Sequence, residues 1–325
     1  MATEHVLLGA ATKIPVNSSS AILSFAPVIV PSPNRPAELQ LRVTAPASGD
    51  ALPIILLSHG HGPSNWLSSL QGYAPLAEFW AKHGFVVIQP THLSSRTLGL
   101  QSLPGNEMYW RSRPEDMTQI LDHLDLVEQT VPGLRGRLDR SKVGGVGHSF
   151  GGMTMSLLLG AKNTDPRDGT VFNSLDQRIK AGVLFGGTGV GGADMSEMGR
   201  KLLPFYGVDF STMTTPTLVV GGEDDVSPHL TVRGADWHWD SYTHGPGSKD
   251  LLRVKGGRHG FGGISGWDAA ETQDESPEML GFVQRMSLAY LRSQLYEGDK
   301  SWEQACAALA GLQELGSVEN KGQKS

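Results

Sequence analysis

Residues 142–152 constrain this chain more than any other stretch. Lys142-Val143-Gly144-Gly145-Val146 reads as a short buried strand, and an apolar helix follows from Met153 to about Leu159. Between them lies Gly147-His148-Ser149-Phe150-Gly151, a G-x-S-x-G turn. A strand-to-helix reversal this tight leaves no room for a β-carbon at Gly147 or Gly151, and it pushes Ser149 out at the end of the strand. The helix N-terminus then sits beside the serine, so backbone N–H groups and the positive end of the dipole face any negative charge developing there.

The rest of the chain repeats the strand-then-helix theme. Residues 21–30 and 39–44 read as an antiparallel edge pair separated by the breaker run 31–36, since proline is tolerated at a sheet edge. The continuous apolar run 53–58 suits the inside of a parallel sheet. It ends in His59-Gly60-His61-Gly62, and a helix over about 73–82 leads to a buried strand at 85–88. Residues 91–113 form a long irregular loop, a length that is usually functional or mobile. Pro114-Glu115-Asp116 opens a helix with Met117, Ile120, Leu121, Leu124 and Val127 at helical spacing. Further strands are read at 181–185, 217–220 and 251–254, a capped helix from Ser276-Pro277-Glu278, and a short helix over 302–315. This alternation predicts an α/β fold, a mostly parallel central sheet with helices on both faces. Residues 1–316 are expected to form a single domain, with 91–113 and 186–213 as a small cap, and the polar tail 317–325 is expected to be disordered.

Composition narrows the class of function. Hydrophobic residues at 39% and charged residues at 18% fit a soluble globular protein, and a net charge of −6 with scattered Lys and Arg argues against nucleic-acid binding. The single cysteine, Cys306, excludes an internal disulfide and a thiolate-rich metal site. No stretch approaches the roughly 20 apolar residues of a membrane span. No basic region precedes a long apolar run near residue 1, so a cytoplasmic location is expected.

A serine hydroxyl needs a general base to attack at neutral pH, and the base needs a carboxylate to fix its tautomer. In open α/β sheets such groups gather at the carboxyl ends of strands. Gly221-Gly222-Glu223-Asp224-Asp225 follows the strand at 217–220, and Gly256-Gly257-Arg258-His259-Gly260 follows the strand at 251–254. The candidates are therefore Ser149, an acid from the 223–225 run, and His259. Two backbone donors would complete an oxyanion hole: the N–H of Phe150, next after the serine, and that of His61, in the loop after the strand at 53–58. His59 reads as a residue whose imidazole supports that loop.

The segments Leu57-Ser58-His59-Gly60-His61-Gly62, Gly147-His148-Ser149-Phe150-Gly151-Gly152, Gly222-Glu223-Asp224-Asp225 and Gly257-Arg258-His259-Gly260 together resemble the α/β-hydrolase superfamily. Within it they are similar to the esterases related to platelet-activating-factor acetylhydrolase, chlorophyllase and dienelactone hydrolase. Arg113-Pro114-Glu115-Asp116-Met117 and Asp274-Glu275-Ser276-Pro277 add to the likeness, which runs from about residue 38 to 295. The resemblance implies that the acid is the last residue of Gly-x-x-Asp, Asp225. It further implies a carboxylic ester hydrolase that works through an acyl-enzyme without metal or cofactor, on a small-molecule ester or lactone. Dienelactone hydrolases proper carry a cysteine where Ser149 stands here.

Apolar residues next to these loops, Trp66, Met108, Trp110, Met153 and Phe261, are the candidates for a substrate pocket and point to an apolar or aromatic substrate. His238-Trp239-Asp240 with His244 lacks a recurring ligand spacing and reads as surface or packing histidines rather than a metal site. The Gly186–Gly192 run lacks the Gly-Lys-Ser/Thr ending of a phosphate loop and reads as a flexible border of the site. Two other functions use the same residues: acyl transfer or ring closure in small-molecule biosynthesis, and a non-catalytic binding protein on this fold.

Overall fold

The structure, a computed structural model, describes residues 5–102, 104–267 and 269–321. Its strands in chain order are β1 (Ile22–Val30), β2 (Leu39–Pro46), β3 (Leu52–Ser58), β4 (Val86–Pro90), β5 (Leu138–His148), β6 (Lys162–Thr164), β7 (Val171–Asn173), β8 (Ile179–Phe185), β9 (Val208–Asp209), β10 (Thr217–Gly222), β11 (Lys249–Val254) and β12 (Gly316–Lys321). The helices are α1 (Ala74–Lys82), α2 (Ser112–Asp122), α3 (Leu124–Thr130), α4 (Phe150–Leu158), α5 (Glu197–Leu202), α6 (Asp240–His244), α7 (Pro277–Leu295) and α8 (Ser301–Leu309).

The large sheet has the order β1-β2-β4-β3-β5-β8-β10-β11-β12. Strands β4 through β11 in that order are parallel neighbours. Antiparallel partners close both ends, β1 and β2 beside β4, and β12 beside β11. The alternation of side chains explains why the central strands are apolar throughout. In β3, Ile54 and Leu56 join a core shared with Met117, Ile120 and Leu157 of the α2 and α4 layer. Ile55 and Leu57 join the opposite core, shared with Trp80 of α1 and Phe282 and Tyr290 of α7. Each such fully buried aliphatic side chain contributes roughly 1.5–3 kcal/mol, and every β3 residue is buried.

Two expectations change, and one small sheet is added. Residues 317–321 are ordered as most of β12, paired with β11 from Gly316↔Val254 to Lys321↔Lys249. The Lys321 ammonium also donates to the carbonyls of Tyr242 and Thr243, at 2.9 and 2.7 Å. An edge strand draws its stability from the backbone ladder and keeps a polar outer face, so its composition resembles that of a free tail. Residues 322–325 lie outside the described residues.

The helix read from Pro114 through Val127 is two helices, α2 and α3. It breaks at His123 (φ −116°, ψ 27°), whose N–H and Nδ1 both turn back to the Gln119 carbonyl. The small sheet β7-β6-β9 has no counterpart in the sequence reading, since strands of two or three residues carry no periodic signal.

Candidate active site

The turn after β5 is built as the glycine spacing demands. A β-carbon on Gly147 would lie 2.1 Å from the Gly151 carbonyl oxygen, and one on Gly151 would lie 2.1 Å from that of Ser58. Ser149 itself adopts φ 55°, ψ −122°, a conformation non-glycine residues rarely hold, which costs on the order of 1–3 kcal/mol. Surrounding bonds hold it there. The Ser149 N–H donates to the Phe185 carbonyl (2.9 Å), and its own carbonyl accepts from Gly152 N–H (2.8 Å) at the start of α4.

Loops after β10 and β11 bring Asp225 and His259 together. His259 Nδ1 lies 3.0 Å from both carboxylate oxygens of Asp225. The carboxylate is buried, while the His259 side chain keeps 38% of its exposure. Asp224 and Glu223 remain at the surface. The end of β8 links this pair to the serine. Phe185 accepts the Ser149 N–H, and a β-carbon on the next residue, Gly186, would lie 2.9 Å from Asp225 Oδ2 and 3.2 Å from His259 Cε1.

A second imidazole flanks the acid. His238 Nε2 is 3.5 Å from Asp225 Oδ1 and 3.1 Å from Ser227 Oγ, and its Nδ1 donates to the Gly187 carbonyl at 2.8 Å. Asp225, His238 and His259 form a group with donor atoms within 4.8 Å of one another. Those atoms are already spent on each other, on Ser227 and on Gly187. The sequence reading of His238 as a packing residue misses its place beside the acid, because the 238–240 run gives no spacing cue to it.

The electrostatics of the pair run in opposite directions. Burial works against the charge on Asp225. The charge and hydrogen bond of His259, with His238 and His148 behind, outweigh it and hold the carboxyl below its ordinary range. Burial would also lower His259, but the Asp225 charge and hydrogen bond, with Asp274, raise it above the ordinary value. A general base acts in its neutral form, so lowering the pH through a raised pKa removes activity earlier than an unperturbed histidine would. The acid limb of kcat/KM is therefore expected to have its midpoint above about pH 6.5, which a pH profile on a soluble ester checks; a midpoint at or below that value contradicts it.

The loop after β3 is fixed peptide by peptide. Gly60 N–H donates to Tyr73 Oη (2.9 Å), and the Tyr73 hydroxyl meets His148 Nδ1 at 2.7 Å. Burial, with the charge of His259, pushes His148 down to about 3, so it is neutral. Its Nε2 then carries the proton and donates to the His259 carbonyl at 2.8 Å. One relay thus joins three loops of the site. Nothing in the sequence marks Tyr73 for this role, whereas His148 stands in the turn motif itself.

His59 Nδ1 donates to the Gly60 carbonyl (2.7 Å), and His59 Nε2 accepts the His92 N–H (3.2 Å). Beneath it, His92 Nδ1 meets Asp116 Oδ2 at 2.8 Å and His92 Nε2 meets Ser58 Oγ at 3.0 Å, with all three side chains buried. Among the described residues the N–H groups of His61 and Phe150 have no acceptor within the protein. They are the free donors of the two peptides beside Ser149.

Two clefts reach this region. One of about 570 Å³ is walled by His61, Asn65, Arg96, Gln101, Met108 and Tyr109, and one of about 350 Å³ by Glu223, Asp224, Asp225, Arg258 and His259. Of the apolar candidates, only Met108 lines a cleft described here. Trp110, Met153 and Phe261 are buried. Trp110 stacks on Phe205 at 5.0 Å, and Phe261 packs on Phe185 and His148. Trp66 is half-buried and donates from Nε1 to the Ser265 carbonyl. Large apolar side chains next to a functional loop complete the core under it, so their nearness in sequence does not place them at the surface. The residues that wall the two clefts are mainly polar.

Comparison with known proteins gives two findings. The family model described as "Alpha/beta hydrolase family" matches residues 54–263. The platelet-activating factor acetylhydrolase of Cavia porcellus is 28% identical over an alignment of 171 residues, which covers 42% of this chain and 35% of that protein. The matched region thus spans about a third of that relative's length. No helix among the described residues is long and apolar enough to cross a membrane.

Proposed function

The chain belongs to the alpha/beta hydrolase family, and from that premise we propose that it is a serine hydrolase cleaving a carboxylic ester or lactone through an acyl-enzyme. The observation that carries the reading is the buried Asp225 carboxylate on His259 Nδ1, tied through Phe185 and Gly186 and through His148 to the turn that holds a strained Ser149 at the N-terminus of α4. His259 Nε2 takes the proton of Ser149 as its oxygen attacks the carbonyl, and the imidazolium is held by Asp225. The oxyanion forms against the N–H groups of Phe150 and His61. His259 returns the proton to the leaving alcohol as the C–O bond breaks. It then activates a water, which releases the acid and restores the serine. The exposed edge of His259 gives water access to the base, which favours hydrolysis over acyl transfer. The name of the guinea-pig relative, an acetylhydrolase, supports an ester of a short acyl chain as the first substrate to try.

The test pairs a fluorophosphonate label with a p-nitrophenyl ester series from acetate to palmitate. Labelling at Ser149 with turnover that peaks at one acyl length is expected. Labelling without turnover on any ester would redirect the assignment to lactones or acyl transfer. A chain that does not label at Ser149 would overturn the reading.

A further inference from the structure

Arg113, the second residue of α2, is completely buried and makes no salt bridge among the described residues. Its acceptors are all neutral. Nε donates to Thr154 Oγ1 (2.8 Å), Nη1 to Ser94 Oγ (2.6 Å), and Nη2 to Ser58 Oγ (3.3 Å) and the His59 carbonyl. The guanidinium also lies 4.9 Å from the centre of the Phe150 ring, over its face. The nearest acid of this region, Asp116, is taken by Arg35 at 3.0 Å and His92 at 2.8 Å. A charge sealed from water without a contacting counter-ion is expensive, and neutral side chains could make the same hydrogen bonds.

The three segments it grips explain why a cation is kept. They are the end of β3 with His59, the loop after β4 with Ser94, and the first turns of α4 with Phe150 and Thr154. The His59 carbonyl that Arg113 holds belongs to the peptide whose N–H is spent on Tyr73, so the following peptide presents His61 N–H in one orientation. The Phe150 ring under the guanidinium belongs to the residue that supplies the other free donor.

We propose that Arg113 is the positioning residue of the oxyanion hole: it fixes the backbone that carries both donors and places a permanent positive charge behind them. In a water-poor interior such a charge acts on a newly formed anion far more strongly than it would in water. The assignment rests on the serine-hydrolase reading above.

The experiment compares Arg113→Lys, which keeps the charge and loses the fork, with Arg113→Gln, which keeps hydrogen bonds and loses the charge. For Gln, kcat is expected to fall about 10- to 100-fold with KM nearly unchanged, and Lys is expected to retain more of kcat than Gln. Affinity for a trifluoromethyl ketone, which binds as an anionic hemiketal, should fall in parallel with kcat/KM. A Gln enzyme equal to or better than Lys, or a loss confined to KM, overturns the proposal. If neither variant folds, Ser94→Ala is read in the same assay because it removes one acceptor of the guanidinium, and the Ser94 hydroxyl makes no other hydrogen bond among the described residues. A several-fold loss of kcat at constant KM supports the assignment, and an unchanged kcat overturns it. Fluorophosphonate labelling of the wild type separates the two levels of inference: without a label at Ser149 the hydrolase reading fails and takes this assignment with it, whereas a labelled, active wild type leaves the comparison of variants to decide Arg113 alone.

Discussion

Ser149→Ala is expected to lower ester turnover by about 10⁶-fold, with the fold intact. The substitution removes one oxygen from a half-buried position and keeps the β-carbon, so the strained backbone at φ 55° is neither relieved nor worsened. Stability should therefore change by no more than about 0.5 kcal/mol. Turnover on the best p-nitrophenyl ester and the thermal midpoint are measured on the same preparation. Residual ester cleavage within tenfold of the wild type would mean that another group attacks. A collapse of the thermal midpoint would mean that the hydroxyl is structural.

Asp225→Asn comes next in size, with an expected loss in kcat of about 10⁴-fold. The carboxylate accepts the hydrogen bond of His259 Nδ1–H at 3.0 Å and thereby leaves Nε2 unprotonated, as the proposed base must be. An amide can donate to Nδ1 instead, which favours the tautomer with its proton on Nε2 and cancels the base. The same change removes the main influence that raises His259, so the acid limb of the pH profile should move down. The neighbouring Asp224→Asn is the control, since that side chain lies at the surface. Equal losses at the two positions would contradict the assignment of Asp225.

How far this could be read from the sequence follows the range of the interactions involved. The turn around Ser149 is legible because its constraint is local: Gly147 and Gly151 are glycine because backbone atoms occupy the β-carbon positions. The regions of Asp225 and His259 are legible because each follows an apolar strand, and the strand order of a parallel sheet brings those ends together. Choosing between Asp224 and Asp225 is another matter. The two differ in burial and in contact with His259, which only the folded loop expresses, so the choice needed a family resemblance.

The pocket is the least legible part. Trp110 and Phe261 are aromatic because they fill space against Phe205 and Phe185, a requirement indistinguishable in sequence from lining a cleft. Strand β12 is hidden for the opposite reason, its polar residues being compatible with an edge as well as with a tail.

The row Asp116, His92, Ser58 repeats, at the end of the neighbouring strand β3, the same three residue types as Asp225, His259 and Ser149. One set is sealed, its serine already accepting a hydrogen bond from Arg113; the other has a histidine edge open to water. The same three residue types therefore stand twice in this molecule, once shut off from water and once beside it. In the first place the row ties the ends of β3 and β4 to α2; in the second, on the function proposed above, it carries the chemistry.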